Sequence, residues 1–348
     1  MDTVRCAAFT WNTANVNVPK EAPIEMAEYL KKYSPHILII SLQEAVRSWH
    51  REFVSQRIKK RMGHDVHYTN GEKKTVSYNP LVEKEMGVIT KADPQGIFGY
   101  THLAIYVRSD LYDVNVASRT MLSIQLNKTC PIELIKEGEC RDGPNWIMNK
   151  TRNKGGLYAR LSIFGQPLAV IGAHLDSNKE ENRAREVNQL CQSAEAQKDS
   201  HEETPSLIFM GDLNERITPF TNNLKTLLNE YKKECGETYF ISQGDPLSRG
   251  EVDHFKYRDI QFEQLDQMTY GEFYSKTDPK KGQIKGNYKF KEKRGGRPDA
   301  GALDNIGIRD NEGRISSIAL KVHPLMDKKG NLISDHNGVS RIFKFDFR

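Results

Sequence analysis

Apolar residues along this chain fall into short, near-continuous runs that are separated by polar and turn-forming stretches. Runs of this kind are typical of strands that are covered on both faces, as in the sheets of α/β proteins. The runs that predict strands are RCAAFTWN, HILIISLQE, THLAIYVRS, GLYARLSIF, PLAVIGAHL, SLIFMGDLN, GALDNIGIRD, ISSIALKV and GVSRIFKFDF.

Helical patterns lie between some of these runs. The segments with apolar residues at three- and four-residue spacing are IEMAEYLKKY, SWHREFVSQRIKKRM, EENRAREVNQLCQSAEAQ and NNLKTLLNEYKKE. The third of them places Val187, Leu190, Cys191 and Ala194 on one face. Because strands alternate with helices, the sequence predicts an α/β protein.

The bulk composition is that of a soluble globular protein. The chain has 348 residues, of which 37% are hydrophobic and 28% charged. No apolar run approaches the roughly 20 residues that span a bilayer, and the first residues predict a strand in place of a secretory signal. The net charge of +5 is compatible with an anionic partner without establishing one. The five cysteines form no CxxC pair, which argues against zinc and favours a reducing, cytoplasmic location.

The run SLIFMGDLN ends in Asp212 and Asn214, on either side of Leu213. One interpretation is a turn, because Asp and Asn after Gly bond to nearby backbone groups. The other is a functional pair, because alternation along an extended chain places both polar groups on one side and Leu213 in the core.

Other apolar runs also end in polar residues. One ends in Asn12, a second in Gln43 and Glu44, a third in His174 and Asp176, and Asp335 and His336 lie near the C-terminus. Each has a structural explanation by itself: a helix start for Glu44, a core histidine for His174, and a turn for the SDH segment. Together they favour a ligand site, because ligands of α/β sheets collect at strand ends.

Carboxylate and amide oxygens without cysteine are the ligands of a hard cation such as Mg²⁺. Histidines and a metal around a water molecule suit hydrolysis of a phosphate ester, whose negative charge must be neutralised.

The order WN, QE, HL, GDLN and SDH resembles the endonuclease/exonuclease/phosphatase superfamily, which includes nucleases, sphingomyelinases and inositol-polyphosphate 5-phosphatases. The resemblance runs from Trp11 to His336. It implies one catalytic domain over residues 1–348, with the fold of a four-layer α/β/β/α sandwich of two mixed sheets.

Four stretches resemble the 5-phosphatases in particular: RNKGG, HLDSNKEENRAREV, GDLNERI and GNYKFKE. They correspond to the family's N-K-G-G, its H-L with an acidic R-N-containing helix, its G-D-L-N-Y-R and its T-Y-K-Y. The chain departs from the family's R-x-P-x-W-C-D-R in GRPDAGALDN, where two residues are added, Trp and Cys are absent, and Asn305 replaces the last Arg. This departure leaves the head-group contacts open.

The resemblance implies three groups of site residues. The metal group, for Mg²⁺, is Asn12, Glu44 and Asp335. The catalytic group is His174, Asp212, Asn214, Asp304 and His336. The substrate-binding group is Lys154, Tyr288, Lys289 and Arg297.

The implied roles follow the chemistry of a metal-assisted hydrolase. Asp212 acts as general base on the attacking water, and Asn214 holds that water or a phosphate oxygen. His174 and His336 donate hydrogen bonds to the phosphoryl oxygens, and Asp304 orients His336.

The lysines are expected to read the substrate and not to take part in the chemistry. Lys154 and Lys289 are placed outside the strand-end cluster, where with Tyr288 they bind a ring phosphate next to the scissile one. The basic segment 275–297 is a solvated loop by default, and its Lys293, Arg294 and Arg297 are further candidates for phosphate or an anionic membrane surface.

The leading hypothesis is a Mg²⁺-dependent phosphatase that removes the 5-phosphate of a phosphoinositide lipid or a soluble inositol polyphosphate. The expected protein is a cytoplasmic monomer in transient contact with anionic membranes, without a nucleic-acid partner. The alternatives are a nuclease or sphingomyelinase of the same superfamily and a non-catalytic inositol-lipid-binding module. RNKGG and YKF favour the phosphatase, because the other enzymes do not need them.

Overall fold

The computed structural model describes a large part of the chain. The described residues are 3–14, 18–19, 23–45, 54–67, 71–87, 99–111, 132–141, 154–176, 180–196, 203–214, 259–262, 270–272, 292–293, 297–301, 303–323, 325, 333–334 and 336–346. Two six-stranded sheets make up most of this part.

The first sheet contains both termini of the described chain. In spatial order its strands are β16 (Ile315–His323), β17 (Gly338–Asp346), β1 (Thr3–Asn12), β2 (Ile37–Ala45), β6 (Tyr100–Arg108) and β5 (Tyr78–Met86). Strands β1 and β2 are parallel and the other neighbours are antiparallel, so the sheet is mixed.

The second sheet has the same mixed character. In spatial order its strands are β11 (Gln261–Phe262), β15 (Asp304–Arg309), β10 (Ser206–Asp212), β9 (Gln166–His174), β8 (Gly155–Ile163) and β7 (Ile132–Arg141). Strands β9 and β10 are parallel, and the remaining neighbours are antiparallel.

Smaller elements complete the described structure. The small sheets pair β3 (His64–His67) with β4 (Lys73–Val76), and β14 (Arg297–Gly301) with β12 (Tyr270–Glu272) and β13 (Glu292–Lys293). The helices are α1 (Pro23–Lys31), α2 (Val54–Met62) and α3 (Glu180–Glu195), with a 3₁₀ turn at Ser109–Leu111.

The side chains of each central strand alternate between two cores. In β1, Val4, Cys6 and Ala8 join the core between the two sheets, whereas Phe9 and Trp11 pack under α1 and α2. In the second sheet, alternate residues of β9 and β10 pack against α3. The layers are therefore helix, sheet, sheet and helix, which confirms the predicted four-layer sandwich.

Each predicted apolar run corresponds to a strand, and three of the four predicted helices are present. The fourth, residues 222–234, lies outside the described residues. Strands β5 and β7 were not predicted, because they are edge strands in which charged residues interrupt the apolar run. In YNPLVEKEM and IELIKEGECR charged residues are interspersed with the apolar ones and many positions are partly exposed, which is typical of half-exposed strands.

Candidate active site

The pairing of the strands brings the predicted site residues to one end of the sandwich. In the second sheet Asp212 lies beside His174 on one side and beside Asp304 on the other, and Gly155 lies beside His174. In the first sheet Asn12 ends β1 next to the end of β2. The ends of parallel strands and the starts of their antiparallel neighbours thus share one edge.

The same alternation that builds the core directs these side chains into the space between the sheets. Asn12 follows the inward-facing positions of β1, and Asp212 follows the inward-facing Ile208 and Met210 of β10. The apolar core between the sheets therefore ends in a polar opening at Asn12 and Asp212, which we call the mouth.

A hydrogen bond between Asn12 and Asp212 crosses this mouth. Nδ2 of Asn12 donates to Oδ2 of Asp212 over 2.9 Å, and both side chains are buried. The side-chain oxygen Oδ1 of Asn12 accepts the N–H of Ala14 at 2.9 Å, which fixes the orientation of the side-chain amide. Asn12 is thus a donor to the carboxylate that was predicted to be the general base.

Asn214 differs from the sequence expectation in its conformation. Strand β10 ends at Asp212, and Asn214 has a φ of 52°, so the alternation of an extended chain does not reach it. Its N–H donates to Oδ1 of Asp212 at 3.0 Å, and its side-chain amide donates to the carbonyl of Leu175 at 2.8 Å. The turn interpretation is therefore right for Asn214, and the turn itself orients Asp212. Leu213 lies in the α3 core, as predicted.

Glu44 reaches the mouth through a β-bulge. By alternation from Ile39 and Ser41, Gln43 faces the other sheet and Glu44 would face the helices. The pairing of β2 with β6 shifts register between Leu42 and Ala45, and Glu44 has a φ of 48°. A bulge re-aims a side chain at the cost of local strain, which is a feature of functional sites.

His174 is the centre of the cluster. Its Nε2 atom lies 3.6 Å from Oε1 of Glu44 and 3.6 Å from Oδ2 of Asp212. The same nitrogen is in hydrogen-bond contact with Nζ of Lys154. One imidazole therefore contacts one ammonium group and approaches two carboxylates, one from each sheet.

This contact corrects the expectation that Lys154 lies apart from the strand-end residues. Lys154 directly precedes β8, and the antiparallel pairing of β8 with β9 sets Gly155 beside His174. The lysine side chain therefore enters the cluster.

His336 is held against Asp304. Nδ1 of His336 lies 2.5 Å from Oδ2 of Asp304, which fixes the orientation of the ring. The backbone around His336 is tied to the end of β1, because Trp11 Nε1 donates to its carbonyl at 3.0 Å and Ser334 Oγ donates to the carbonyl of Asn12 at 2.8 Å.

Burial and charge act against each other on the carboxyl groups. Burial would raise the pKa of Asp212, but the charges of His336, His174 and Lys154 outweigh it and lower that pKa below its ordinary value. Burial raises the pKa of Glu44, and it raises the pKa of Asp304 against the opposing charge of His336. Asp212 is thus the carboxylate that the site keeps ionised.

Two glycines are required for this packing. Gly155 has a φ of 114°, and a Cβ there would lie 2.1 Å from the carbonyl oxygen of Cys140. Gly211 has a φ of 144°, and its Cβ would lie 1.9 Å from the carbonyl oxygen of Ala173. Any side chain would push these strands apart, so the glycines allow close backbone approach beside Lys154 and Asp212.

Residues of α3 that the sequence did not single out fix the segment after His174. Glu186 is buried, and its Oε2 accepts the N–H of Asp176 at 2.8 Å. Arg183 donates to the carbonyl of Asp176 at 3.2 Å, and Asn182 donates to its carboxylate at 3.2 Å. The resemblance of this helix to the 5-phosphatases was the available signal.

Several predicted site residues lie outside the described residues. These are Asp335, Tyr288, Lys289 and Arg294. Lys293 and Arg297 belong to β13 and β14, and the described structure does not include their side chains.

The donors at the mouth fit a hard divalent cation. They are the carboxylates of Glu44 and Asp212 and the side-chain oxygen Oδ1 of Asn12. This oxygen accepts one hydrogen bond, from Ala14, and has a second lone pair. Within the described ranges, no cluster of three or more His, Cys, Asp or Glu side chains forms a metal site. One or two carboxylates, completed by water and substrate phosphate, are how proteins commonly hold Mg²⁺.

The chain belongs to the family described as Endonuclease/Exonuclease/phosphatase family 2, which matches it over residues 9–238. The predicted superfamily and the general class of hydrolase are thereby confirmed. Enzymes of this superfamily use divalent metals. No curated protein sequence matches the chain.

Solved structures share the fold at low sequence identity. The inositol polyphosphate 5-phosphatase domain of SPsynaptojanin, solved with inositol (1,4)-bisphosphate and a calcium ion, is 14% identical with a TM-score of 0.64, covering 99% of this chain and 85% of that one. Cimex nitrophorin in its ferrous NO complex is 12% identical with a TM-score of 0.60, covering 100% of both chains. These similarities show the fold alone.

A weaker similarity is to TDP2 of D. rerio, solved with a single-strand DNA product. It is 14% identical with a TM-score of 0.47, covering 97% of this chain and 98% of that one, and it supports no inference. Among the described residues, no helix is both long enough and apolar enough to cross a membrane.

Proposed function

We propose that the protein is a Mg²⁺-dependent phosphatase that removes the 5-phosphate of phosphoinositides or soluble inositol polyphosphates. The observation that carries the proposal is the state of Asp212. It is buried, accepts hydrogen bonds from Asn12 and Asn214, and is kept ionised by the positive groups around it. A buried carboxylate held in this way is suited to orient a water molecule for attack.

The residues of the chain divide the work of hydrolysis. Asp212 orients the attacking water and accepts its proton. His336, oriented by Asp304, offers Nε2 to a phosphoryl oxygen. His174 serves the same purpose once Nε2 is released from its contact with Lys154. Fixed donors around the phosphate act on the charge that develops in the transition state.

Glu44 and the side-chain oxygen Oδ1 of Asn12 are the described groups that would hold the cation, and Asp335 is proposed to join them. A bound Mg²⁺ neutralises phosphate charge and polarises the phosphoryl group. Its affinity for carboxylate and phosphate oxygens agrees with the absence of cysteine from the described part of the mouth.

An inositol phosphate is the proposed substrate because of RNKGG and the place of its lysine. Lys154 supplies a positive charge at the mouth, where an anionic substrate would enter. The SPsynaptojanin domain of the same fold was solved with inositol (1,4)-bisphosphate and calcium, which supports this substrate class by analogy of fold. Tyr288, Lys289 and Arg297 are proposed to bind a neighbouring ring phosphate.

A panel of substrates tests the proposal. Purified protein is incubated with Mg²⁺ and, separately, with inositol lipids in vesicles, soluble inositol polyphosphates, single- and double-stranded DNA and sphingomyelin. The expected result is phosphate release from inositol substrates, with loss of the 5-position. Cleavage of DNA or sphingomyelin without release from inositol phosphates would replace this proposal by the nuclease or sphingomyelinase alternative.

A non-catalytic inositol-lipid-binding module is the second candidate, and Cimex nitrophorin, solved as a ferrous NO complex, is an example of a protein of similar fold with a different ligand. The same panel decides between the candidates. Binding of inositol lipids with Mg²⁺ and without release of phosphate or cleavage of any other substrate would favour the module.

A further inference from the structure

The ammonium group of Lys154 lies where two carboxylates of the mouth converge. Its Nζ is in hydrogen-bond contact with Nε2 of His174, and that nitrogen is 3.6 Å from an oxygen of each carboxylate, Glu44 and Asp212. The distance from the ammonium nitrogen to each of these two carboxylate oxygens therefore cannot exceed the sum of one hydrogen-bond length and 3.6 Å. It occupies the neighbourhood in which Glu44, next to the ionised Asp212, would hold a cation.

A second pair of carboxylates, Asp176 and Glu186, also acts on the charge of the same lysine. Asp176 follows His174 by two residues, and the buried Glu186 of α3 accepts its backbone N–H at 2.8 Å. All four carboxylates favour the charged form of Lys154, although burial lowers its pKa. The charge of Lys154 thus interacts with two pairs of carboxylates, an inner pair, Glu44 and Asp212, and an outer pair, Asp176 and Glu186.

We propose that Lys154 is the internal counter-cation of Glu44 and Asp212, and that its ammonium group moves to Asp176 and Glu186 when a divalent cation binds. This inference rests on the cation dependence of the proposed function. An ammonium and a divalent ion at one pair of carboxylates repel each other strongly in a partly buried site. The outer pair offers the lysine an alternative with compensating charge.

The backbone permits this movement without rearranging the sheet. Gly155 is locked against Cys140 by close packing, so the chain next to Lys154 is fixed. The four-carbon stem of a lysine is flexible and carries a compact charge. Movement of the side chain alone also frees Nε2 of His174, which the proposed chemistry requires.

Cation binding tests the inference without using catalysis. Wild-type protein and variants are titrated with Mn²⁺, and the free ion is measured by electron paramagnetic resonance. Lys154→Met removes the competing charge and is expected to tighten Mn²⁺ binding about tenfold. Lys154→Arg retains the charge and is expected to stay within about threefold of the wild type.

Glu186→Gln separates the charge of Glu186 from its hydrogen bond. The amide oxygen still accepts the N–H of Asp176, but the outer pair loses a negative charge. Lys154 is then attracted less to the outer pair, so it competes more strongly with the cation for Glu44 and Asp212. Binding of Mn²⁺ is expected to weaken at least about threefold. The matched controls are Glu195→Gln on the same helix and Lys136→Met on β7. Glu195 accepts a hydrogen bond from Arg309, and Lys136 donates one to the carbonyl of Ala196. Both are expected to bind as the wild type does.

Equal Mn²⁺ affinity in wild type and Lys154→Met, or weaker binding in Lys154→Met, would overturn the inference. So would tightening by Lys154→Arg equal to that by Lys154→Met. Circular dichroism verifies that each variant is folded, and Lys154→Gln replaces the methionine variant if that one does not fold. Mn²⁺ binding with the expected order of affinities but no phosphate release would refute the proposed function alone, whereas no binding by any variant would refute both.

Discussion

The 2.9 Å hydrogen bond from the Asn12 amide to the Asp212 carboxylate joins the end of one sheet to the end of the other. Asn12 belongs to β1 and Asp212 to β10, and no backbone pairing connects these two strands. The orientation of Asp212 therefore depends on the first sheet as well as on its own.

Replacing Asn12 by alanine tests that dependence. Asn12→Ala removes a donor from a buried carboxylate, which costs about 1–3 kcal/mol of unfolding free energy. We expect kcat on the best inositol substrate to fall as well, because Asp212 is no longer fixed. Urea unfolding and phosphate release measure the two effects, with the surface variant Asn311→Ala as control. An unchanged kcat would show that the bond is structural only.

Asp212→Asn is expected to lower kcat by at least the 10²–10⁴-fold typical of a positioned base. The amide has a similar shape but cannot accept the proton, and it presents a donor to Asn12 or Asn214. Steady-state phosphate release measures kcat, and equilibrium binding of substrate is expected to change little.

Asp310→Asn is the matched control for that variant. Asp310 also accepts a backbone N–H, from Ile315 at 2.7 Å, but it lies away from the mouth. It should lose stability without losing kcat. Equal kcat in Asp212→Asn and wild type would reduce Asp212 to a turn residue.

Lys154→Ala is expected to lower kcat/KM by a similar factor on substrates with and without a 4-phosphate. The lysine lies beside the catalytic cluster, so its positive charge attracts the anionic substrate whether or not a 4-phosphate is present. Phosphate release from a 4,5-bisphosphate and from a substrate lacking the 4-phosphate measures both. A loss confined to the 4,5-bisphosphate would restore the ring-phosphate role expected from the sequence.

Gly155→Ala is expected to destabilise the protein much more than Gly165→Ala. Both glycines have positive φ, 114° and 84°, but only at Gly155 would a Cβ meet a backbone atom, at 2.1 Å. Backbone strain costs about 1–3 kcal/mol at each site, and the steric clash adds to it at Gly155. Thermal and urea unfolding compare the two, and equal losses would contradict the packing argument.

Buried histidines predict a loss of stability in mild acid. Burial lowers the pKa of His36 and His102 from 6.5 to about 4 and that of His323 to about 3. The unfolded chain therefore binds more protons below pH 6.5. Their contribution is complete above pH 6.5 and is lost as the pH falls toward about 4, at about 1.4 kcal/mol per pH unit for each histidine.

His102→Gln separates this effect from general acid unfolding. Urea unfolding at pH values from 7.5 to about 4.5 should give a shallower slope for the variant, by about 1.4 kcal/mol per pH unit below pH 6.5. The exposed His67→Gln serves as control. A variant slope equal to that of the wild type would show that His102 is charged in the folded protein.

The sequence predicted the contents of the mouth but not all of its geometry. Strand ends are visible wherever an apolar run stops at polar residues, which located Asn12, Glu44, His174 and Asp212. Alternation gave the correct side for Leu213. It does not extend to Asn214, because the left-handed turn after Asp212 interrupts the extended chain.

The sequence contains a signal for the position of Lys154, because a hairpin relates it to His174. The runs before and after Phe164 and Gly165 form a hairpin, and Gly165 is a turn residue in the left-handed region. An antiparallel hairpin sets the first residue of one strand beside the last residue of the other. The bulge at Glu44 and the contact of Glu186 with Asp176 depend on tertiary packing, so no local pattern predicts them.

Because Asn12 and Asp212 lie in separate sheets, the geometry of the site depends on how the two sheets are positioned relative to each other. Sliding one sheet over the other by a single strand residue, about 3.3 Å, exceeds the length of their hydrogen bond while leaving every backbone ladder intact. Such a slipped molecule would keep its secondary structure and its helices, but the packing of the core between the sheets would change. We expect it to be inactive, so that turnover would report the relative position of the two sheets, which far-ultraviolet circular dichroism does not detect.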